Sequence, residues 1–320
     1  MVADIVAHAD WGSDPRKRVV AVARKVADGH EIVSLAAAPD GDLLAGLALE
    51  YQPFQSIIGF DFPIGLPRAY AAAAGTGAFR EFFDHVGAPP WAEFEQVAAG
   101  PGEISLRRPF YPARPGGTRR SHLHDGLGLS EQELRRRCDG TDAEMLFWTL
   151  GGKQAGKAAL HGWRMLRQAR AGGADMALWP FDGPLAALLR SRARFVVAET
   201  YPREFYRYIG APADRWSKRR RADRLRCVPG LLARADCLGV RWRADVRARV
   251  CAGFDPGPAG EDEFDATVGL LGMIAVLAGV IAPGVPADDR AVVTTEGWIL
   301  GRAAGVHEPG ARSSHSQEPG

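Results

Sequence analysis

Three apolar runs of this 320-residue chain each stop at an acid. Ile5-Val6-Ala7-His8-Ala9 stops at Asp10, Ser56-Ile57-Ile58-Gly59-Phe60 at Asp61, and Phe195-Val196-Val197-Ala198 at Glu199. A further acidic group, Glu261-Asp262-Glu263-Phe264-Asp265, opens a long apolar stretch; Asp262 and Asp265 are three apart and so share a helix face. In an open α/β sheet, ligands gather outside the carboxyl ends of the strands, so an acid placed there faces a crevice. Carboxylates brought together repel, and a divalent cation removes that penalty. Two such ions about 4 Å apart can hold the attacking water and the leaving oxygen of a phosphodiester. Oxygen-only ligands suit Mg²⁺ or Mn²⁺. Taken singly, each acid is also an ordinary strand end or helix cap; their recurrence at strand ends is what points to a site.

The elements that must carry these acids can be read from periodicity. A strand over 5–9, a polar loop, a strand over 19–27 and a third over 31–36 predict an antiparallel meander. Asp28-Gly29 is the dipeptide favoured in a type I′ hairpin turn. Pro39-Asp40-Gly41-Asp42 offers an acidic helix start, with Leu43, Leu44, Leu47 and Tyr51 as its apolar stripe. The runs ending at Asp61 and Glu199 have the continuous apolar character of strands buried on both faces, hence central and parallel. This order predicts an α/β fold with a mixed sheet and helices on both faces. More than a hundred residues separate those two strands. Within them, 87–128 is rich in Gly, Pro and Arg and reads as an irregular excursion over the surface, while 131–137 and 142–171 read as helices. Basic helical pieces between turns at Pro212 and Pro229 are expected over 204–250. The polar tail, 305–320, is expected to be disordered.

Here the residues carry a family resemblance. Asp10-Trp11-Gly12-Ser13-Asp14-Pro15-Arg16-Lys17-Arg18 and Ile58-Gly59-Phe60-Asp61-Phe62-Pro63-Ile64-Gly65-Leu66-Pro67 resemble a bacterial and archaeal domain-of-unknown-function family described as predicted nucleases with an RNase H fold. Glu199-Thr200-Tyr201-Pro202, Phe264-Asp265-Ala266 and Glu296-Gly297-Trp298-Ile299 are similar to its later blocks. The resemblance implies one RNase H-like domain over 1–304, with an insertion at about 68–192. It also implies that strand one, strand four and the final helix supply metal-binding acids. Carried over, Asp10, Asp61 and Asp265 form the core of a catalytic Mg or Mn site, with Glu199 as a fourth member. The acid expected on the first helix has no counterpart other than Glu50.

Charge adds a partner. From Arg203 to Arg249 the chain has 14 Arg or Lys against 5 Asp or Glu, within a net charge of only +2. Such a split suggests a polyanion, and the resemblance makes it nucleic acid. Lys218, Arg219 and Arg220 are the candidate phosphate contacts, with Lys157 as another. Gly151-Gly152-Lys153-Gln154-Ala155-Gly156-Lys157 lacks P-loop spacing, because Ala158 follows Lys157. His122-Leu123-His124 offers two metal ligands on an extended segment but no third. The four cysteines have no C-x-x-C pair, which argues against a zinc framework and fits a reducing cytoplasm. The apolar run 266–282 is thinned by three glycines and reads as a helix on the sheet, not a membrane span.

Two other functions fit the same pattern. Asp10-Trp11-Gly12-Ser13 partly matches the D-x-G-[ST] phosphate loop of actin-like and sugar-kinase folds, which would make the chain an ATP-dependent phosphotransferase. A non-catalytic RNase H-fold module binding nucleic acid or protein is the third reading.

Overall fold

The computed structural model describes residues 3–12, 14–38, 43–140, 143–151 and 155–304. Its centre is a meander of β1 (Ile5–Asp10), β2 (Val19–Val26) and β3 (Gly29–Ala37), antiparallel throughout. β4 (Ser56–Phe60) runs parallel to β1, and β6 (Phe195–Glu199) parallel to β4. Two three-residue strands extend the edges: β5 (Met176–Leu178) beside β6 and β7 (Val240–Trp242) beside β3. The resulting seven-stranded mixed sheet has the order β5-β6-β4-β1-β2-β3-β7, with β2 alone running against the rest. Every residue of β4 and β6 is buried, as their unbroken apolar runs require for strands covered on both sides.

Alternation along the strands feeds two separate cores. Ile5, Ala7 and Ala9 of β1 join Ile58 and Phe60 of β4 in one. Onto it pack α1 (Leu43–Glu50), α2 (Arg68–Ala74), α3 (Phe79–His85), α4 (Arg120–Leu127) and α5 (Ala155–Ala171). Val6, Ile57, Val196 and Ala198 belong to the other core. That one is covered by α6 (Leu185–Leu188), α7 (Arg221–Cys237), α8 (Ala244–Cys251) and α9 (Ala259–Leu277).

α9 holds most of the apolar run 266–282. Sixteen of its 19 residues are buried against the sheet and α7, and no helix among the described residues is long and apolar enough to cross a membrane. Its glycines are contact points. A Cβ at Gly269 would lie 2.3 Å from Nε2 of His8, and one at Gly272 would lie 2.2 Å from the Phe205 ring. Only a bare backbone lets the helix come this close to β1.

Several local expectations change. Val26 pairs with Gly29, so the hairpin's central residues are Ala27 and Asp28, and neither has positive φ; the type I′ turn at Asp28-Gly29 is not formed. The helix expected over 142–171 begins only at Ala155, and 131–137 forms turns instead of a helix. Pro229 sits inside α7 and marks no turn. The 87–128 stretch is irregular apart from α4 and a short 3-10 turn, but it does not merely cover the surface. Phe94, Phe110 and Tyr111 are at most 1% exposed, and the first two pack on Trp163 of α5. Both edge strands escaped periodicity because three residues carry no readable alternation; β5 lies inside the expected insertion. The acidic start at 39–42 and the tail at 305–320 lie outside the described residues.

Candidate functional site

Parallel register fixes the first two acids. Ala9 pairs with Phe60, and the Asp61 N–H donates to the Ala9 carbonyl at 3.2 Å, so Asp10 and Asp61 end adjacent strands side by side. Both follow residues of the first core by one position, so both fall on the α9 face.

Helix and strand rises bring in the third. His8 meets Gly269; Asp10 lies two strand residues further along β1, about 6.6 Å. Asp265 lies four helix residues back along α9, about 6 Å. The two therefore arrive abreast. Asp262, one turn further, lines the same cavity of about 910 Å³, together with Asp10, Asp61, Lys17 and Lys218.

The electrostatics show carboxylates in excess of cations. Burial first, then Asp265 and Asp61, hold the Asp10 carboxyl well above its ordinary range. Burial and Asp265 push Asp61 up to about 7. Burial and Glu261 push Asp262 up to about 6. Asp265, 2% exposed, is raised by burial despite two partners: the Tyr206 hydroxyl donates to Oδ1 at 2.6 Å and the Lys218 ammonium pairs with Oδ2. Burial opposes the charge of Lys218, but Asp265, Asp10 and Glu261 outweigh it and raise its pKa.

Glu199 meets a different environment. In β6 it shares parity with Phe195 and Val197, which enter the first core, so its side chain departs from the face of Asp10 and Asp61. There the Arg136 guanidinium grips it bidentately, at 2.6 Å to Oε2 and 2.7 Å to Oε1, and the Ile64 N–H adds a third bond at 2.7 Å. Arg136, 2% exposed, also binds Asp139 at 2.8 Å. Among the described residues, Cys138, Asp139 and Glu199 are the group whose ligand atoms lie within 4.8 Å of one another. One guanidinium is shared by both carboxylates of that group, and with the Ile64 N–H it occupies both oxygens of Glu199, which ties Glu199 to the 61–67 loop.

The other expected contributors scatter. Lys218 is in the site, bound to an acid of the cluster. Arg219 is exposed on the cavity wall, 3.4 Å from Glu261. Arg220 pairs with Asp223 at 2.6 Å at the start of α7 and lies outside the cavity lining, as does Lys157 on α5. Glu50 ends α1 beside Tyr51 and belongs to a different, shallow pocket, so it supplies no fourth acid. Glu296 is buried against Arg68 at 2.6 Å and takes no part. His122 and His124 sit on α4, not on an extended segment; they contact the Tyr111 hydroxyl and the Met145 sulfur. Ser13 of the D-x-G-[ST] match lies outside the described residues.

Sequence reasoning missed Tyr206, Arg136 and two cations of the cavity wall, Arg203 and Arg207. Among the described residues, neither arginine has a carboxylate within 4.0 Å, although both line the cavity. Nothing in the local sequence distinguishes them from the paired arginines nearby. No family model, curated protein or solved structure matches the chain.

Proposed function

We propose that the chain is an RNase H-like, metal-dependent nuclease that hydrolyses phosphodiesters of nucleic acid at the cleft of Asp10, Asp61 and Asp265. One observation carries this reading. Two adjacent strand ends and one helix bring Asp10, Asp61 and Asp265 together beside one cavity, which Asp10 and Asp61 line, and the Lys218 ammonium pairs with Asp265. Excess buried carboxylate is costly unless a cation binds it, and a divalent ion is the cation such oxygens suit. The sheet supports the reading: an antiparallel three-strand meander extended by parallel strands, with β2 alone reversed, is the mixed sheet that the resemblance implies.

The donor set fits Mg²⁺ or Mn²⁺, with Asp10 and Asp61 as the carboxylates that have the fewest competing partners. Bound there, the ion would lower the pKa of a water and stabilise charge on the phosphate. The chain's own residues do the rest. Arg203 and Arg207, on the wall, offer unpaired positive charge to a phosphate backbone. Glu199 and Arg136 hold the loop after β4 in place through the Ile64 N–H.

The test is a metal-defined screen against single- and double-stranded DNA, RNA and hybrids, with Asp61→Asn as control. Mg²⁺- or Mn²⁺-dependent cleavage lost in Asp61→Asn supports the reading. Absence of turnover on all substrates, or turnover unchanged in the variant, rejects it. Protection from unfolding by Mg²⁺–ATP but not by nucleic acid would point to phosphotransfer instead.

A further inference from the structure

We propose that Lys218 is a built-in cation of the cleft, so that the site takes one divalent ion, on Asp10 and Asp61, beside a fixed ammonium on Asp265. This deepens the metal-site reading above and rests on it.

The first observation is how unevenly the three aspartates are committed. Both oxygens of Asp265 are taken, one by the Tyr206 hydroxyl and one by Lys218. Among the described residues, the carboxylates of Asp10 and Asp61 accept no hydrogen bond, and both line the cavity. Of these three aspartates, Asp10 and Asp61 are therefore the ones open to an ion.

The second observation is that Lys218 is held from behind. Arg224, fully buried, donates from Nη1 to the Lys218 carbonyl at 2.7 Å and to the Arg219 carbonyl at 3.2 Å. The same guanidinium is anchored on the carbonyls of Gly253 at 3.1 Å and Asp255 at 2.7 Å. The Ser217 N–H is fixed by Asp223 at 3.0 Å. A surface lysine with no such anchors keeps its rotamer freedom. Here a buried arginine secures the backbone that follows the Lys218 Cα and Asp223 the backbone that precedes it, and the side chain reaches Asp265 and stands 3.3 Å from Glu261. That is the construction of a positioned charge.

The third step is electrostatic. The ammonium acts on Asp10 and Asp61 as well as on Asp265. It offsets one carboxylate and repels a second divalent ion in the space it occupies. Lys218 thereby sets the ion count. The segment expected to contact phosphate from outside instead contributes its lysine to the centre.

The experiment counts Mn²⁺ bound per full-length chain by equilibrium dialysis, with Mn²⁺ alone as the probe. Wild type should bind one ion, and Asp61→Asn none. Lys218→Met and Lys218→Gln should each either admit a second ion or bind the first at least about tenfold tighter, because a positive charge has left its neighbourhood. The glutamine keeps a donor for Asp265, so it reports on charge even where methionine perturbs folding, which circular dichroism checks. Two ions in wild type, or unchanged count and affinity in both variants, overturn the role of Lys218 while leaving the metal site standing. No ion in wild type, or one retained by Asp61→Asn, overturns the metal site and this inference together.

Discussion

Two sets of buried acids meet at the same end of this sheet, and they have opposite fates. Glu199 and Asp139 share one guanidinium, and Glu199 also accepts the Ile64 N–H, so both its oxygens are occupied. Asp10 and Asp61, on the other face, share a distant part of one ammonium whose shortest contact is to Asp265. The first set is a closed network that holds a loop. Both sets line the same cavity, and the second is left short of positive charge there. A strand-end acid is thus either a brace or a candidate ligand, and the presence of a dedicated cation decides which.

The largest expected effect strikes the closed network. Arg136→Met removes the cation from two acids and leaves Glu199, 4% exposed, with the Ile64 N–H alone. Breaking a buried pair from one side typically costs about 3–5 kcal/mol. A urea titration should show a loss of that order; a loss under about 1 kcal/mol would mean the network is not what secures the loop. Glu199→Gln should cost less, since the amide still accepts from Ile64 and Arg136 keeps Asp139.

Next comes catalysis. Asp61→Asn and Asp10→Asn should each lower metal-dependent cleavage by at least about 100-fold, equivalent to about 2.7 kcal/mol of barrier. Asp265→Asn should lower it less, because its oxygens face Tyr206 and Lys218. Single-turnover rates at saturating Mn²⁺ measure the order. Equal losses for all three would return Asp265 to the ligand set that the sequence suggests.

The open set should also respond to pH with a definite sign. The Asp61 carboxyl is pushed up to about 7 from an ordinary value of 3.8, so between those values the folded chain holds a proton that the unfolded chain has released. Stability then falls as pH rises from about 4 through about 7, where the folded form must ionise. Asp262, raised to about 6, acts in the same direction. In chelator, Asp61→Asn should exceed wild type at pH 8 by roughly 1–2 kcal/mol, and the gap should shrink toward pH 5. Mn²⁺ should close it at pH 8 by stabilising wild type alone. An Asp61→Asn protein that melts below wild type at pH 8 would show that this acid braces the backbone, as Glu199 does.

Much of this geometry was legible in the sequence, and the rest has identifiable reasons for being hidden. The meander, the two central parallel strands and α9 follow from runs long enough to show their period. Even the split between Asp61 and Glu199 is present as parity. Asp61 follows the five-residue strand Ser56–Phe60, whereas Glu199 is the fifth residue of its own strand and shares parity with Phe195 and Val197. What the sequence could not show is Arg136. It reaches Glu199 from 63 residues away, out of a stretch of turns with no periodicity. Lys218 was visible as part of a basic run but not as a member of the site, because its place depends on Arg224 holding its carbonyl from the next helix.

The same contrast between committed and open charge extends to the arginines, where the expected effect is smallest. Arg220 is paired with Asp223 at 2.6 Å, so a phosphate would have to compete with an existing partner. Arg203 and Arg207 line the cavity with no carboxylate within 4.0 Å among the described residues, so a phosphate finds them free. Each phosphate neutralised by such a side chain releases condensed counterions, and the slope of log affinity against log salt records their number. Neutralising Arg203 and Arg207 together should therefore weaken nucleic-acid binding on every sequence and flatten the slope by about 0.7 to 0.9 per lost contact, the lower figure applying to single strands. Arg220→Ala should leave the slope unchanged while costing a little stability through its lost pair with Asp223. Fluorescence anisotropy across a salt series, in Ca²⁺ or in the Asp61→Asn background to prevent cleavage, reads all three proteins. A flattened slope in Arg220→Ala with none in the Arg203 and Arg207 variant would put the nucleic acid on the outer face of α7. The cavity wall would then have no part in holding the backbone.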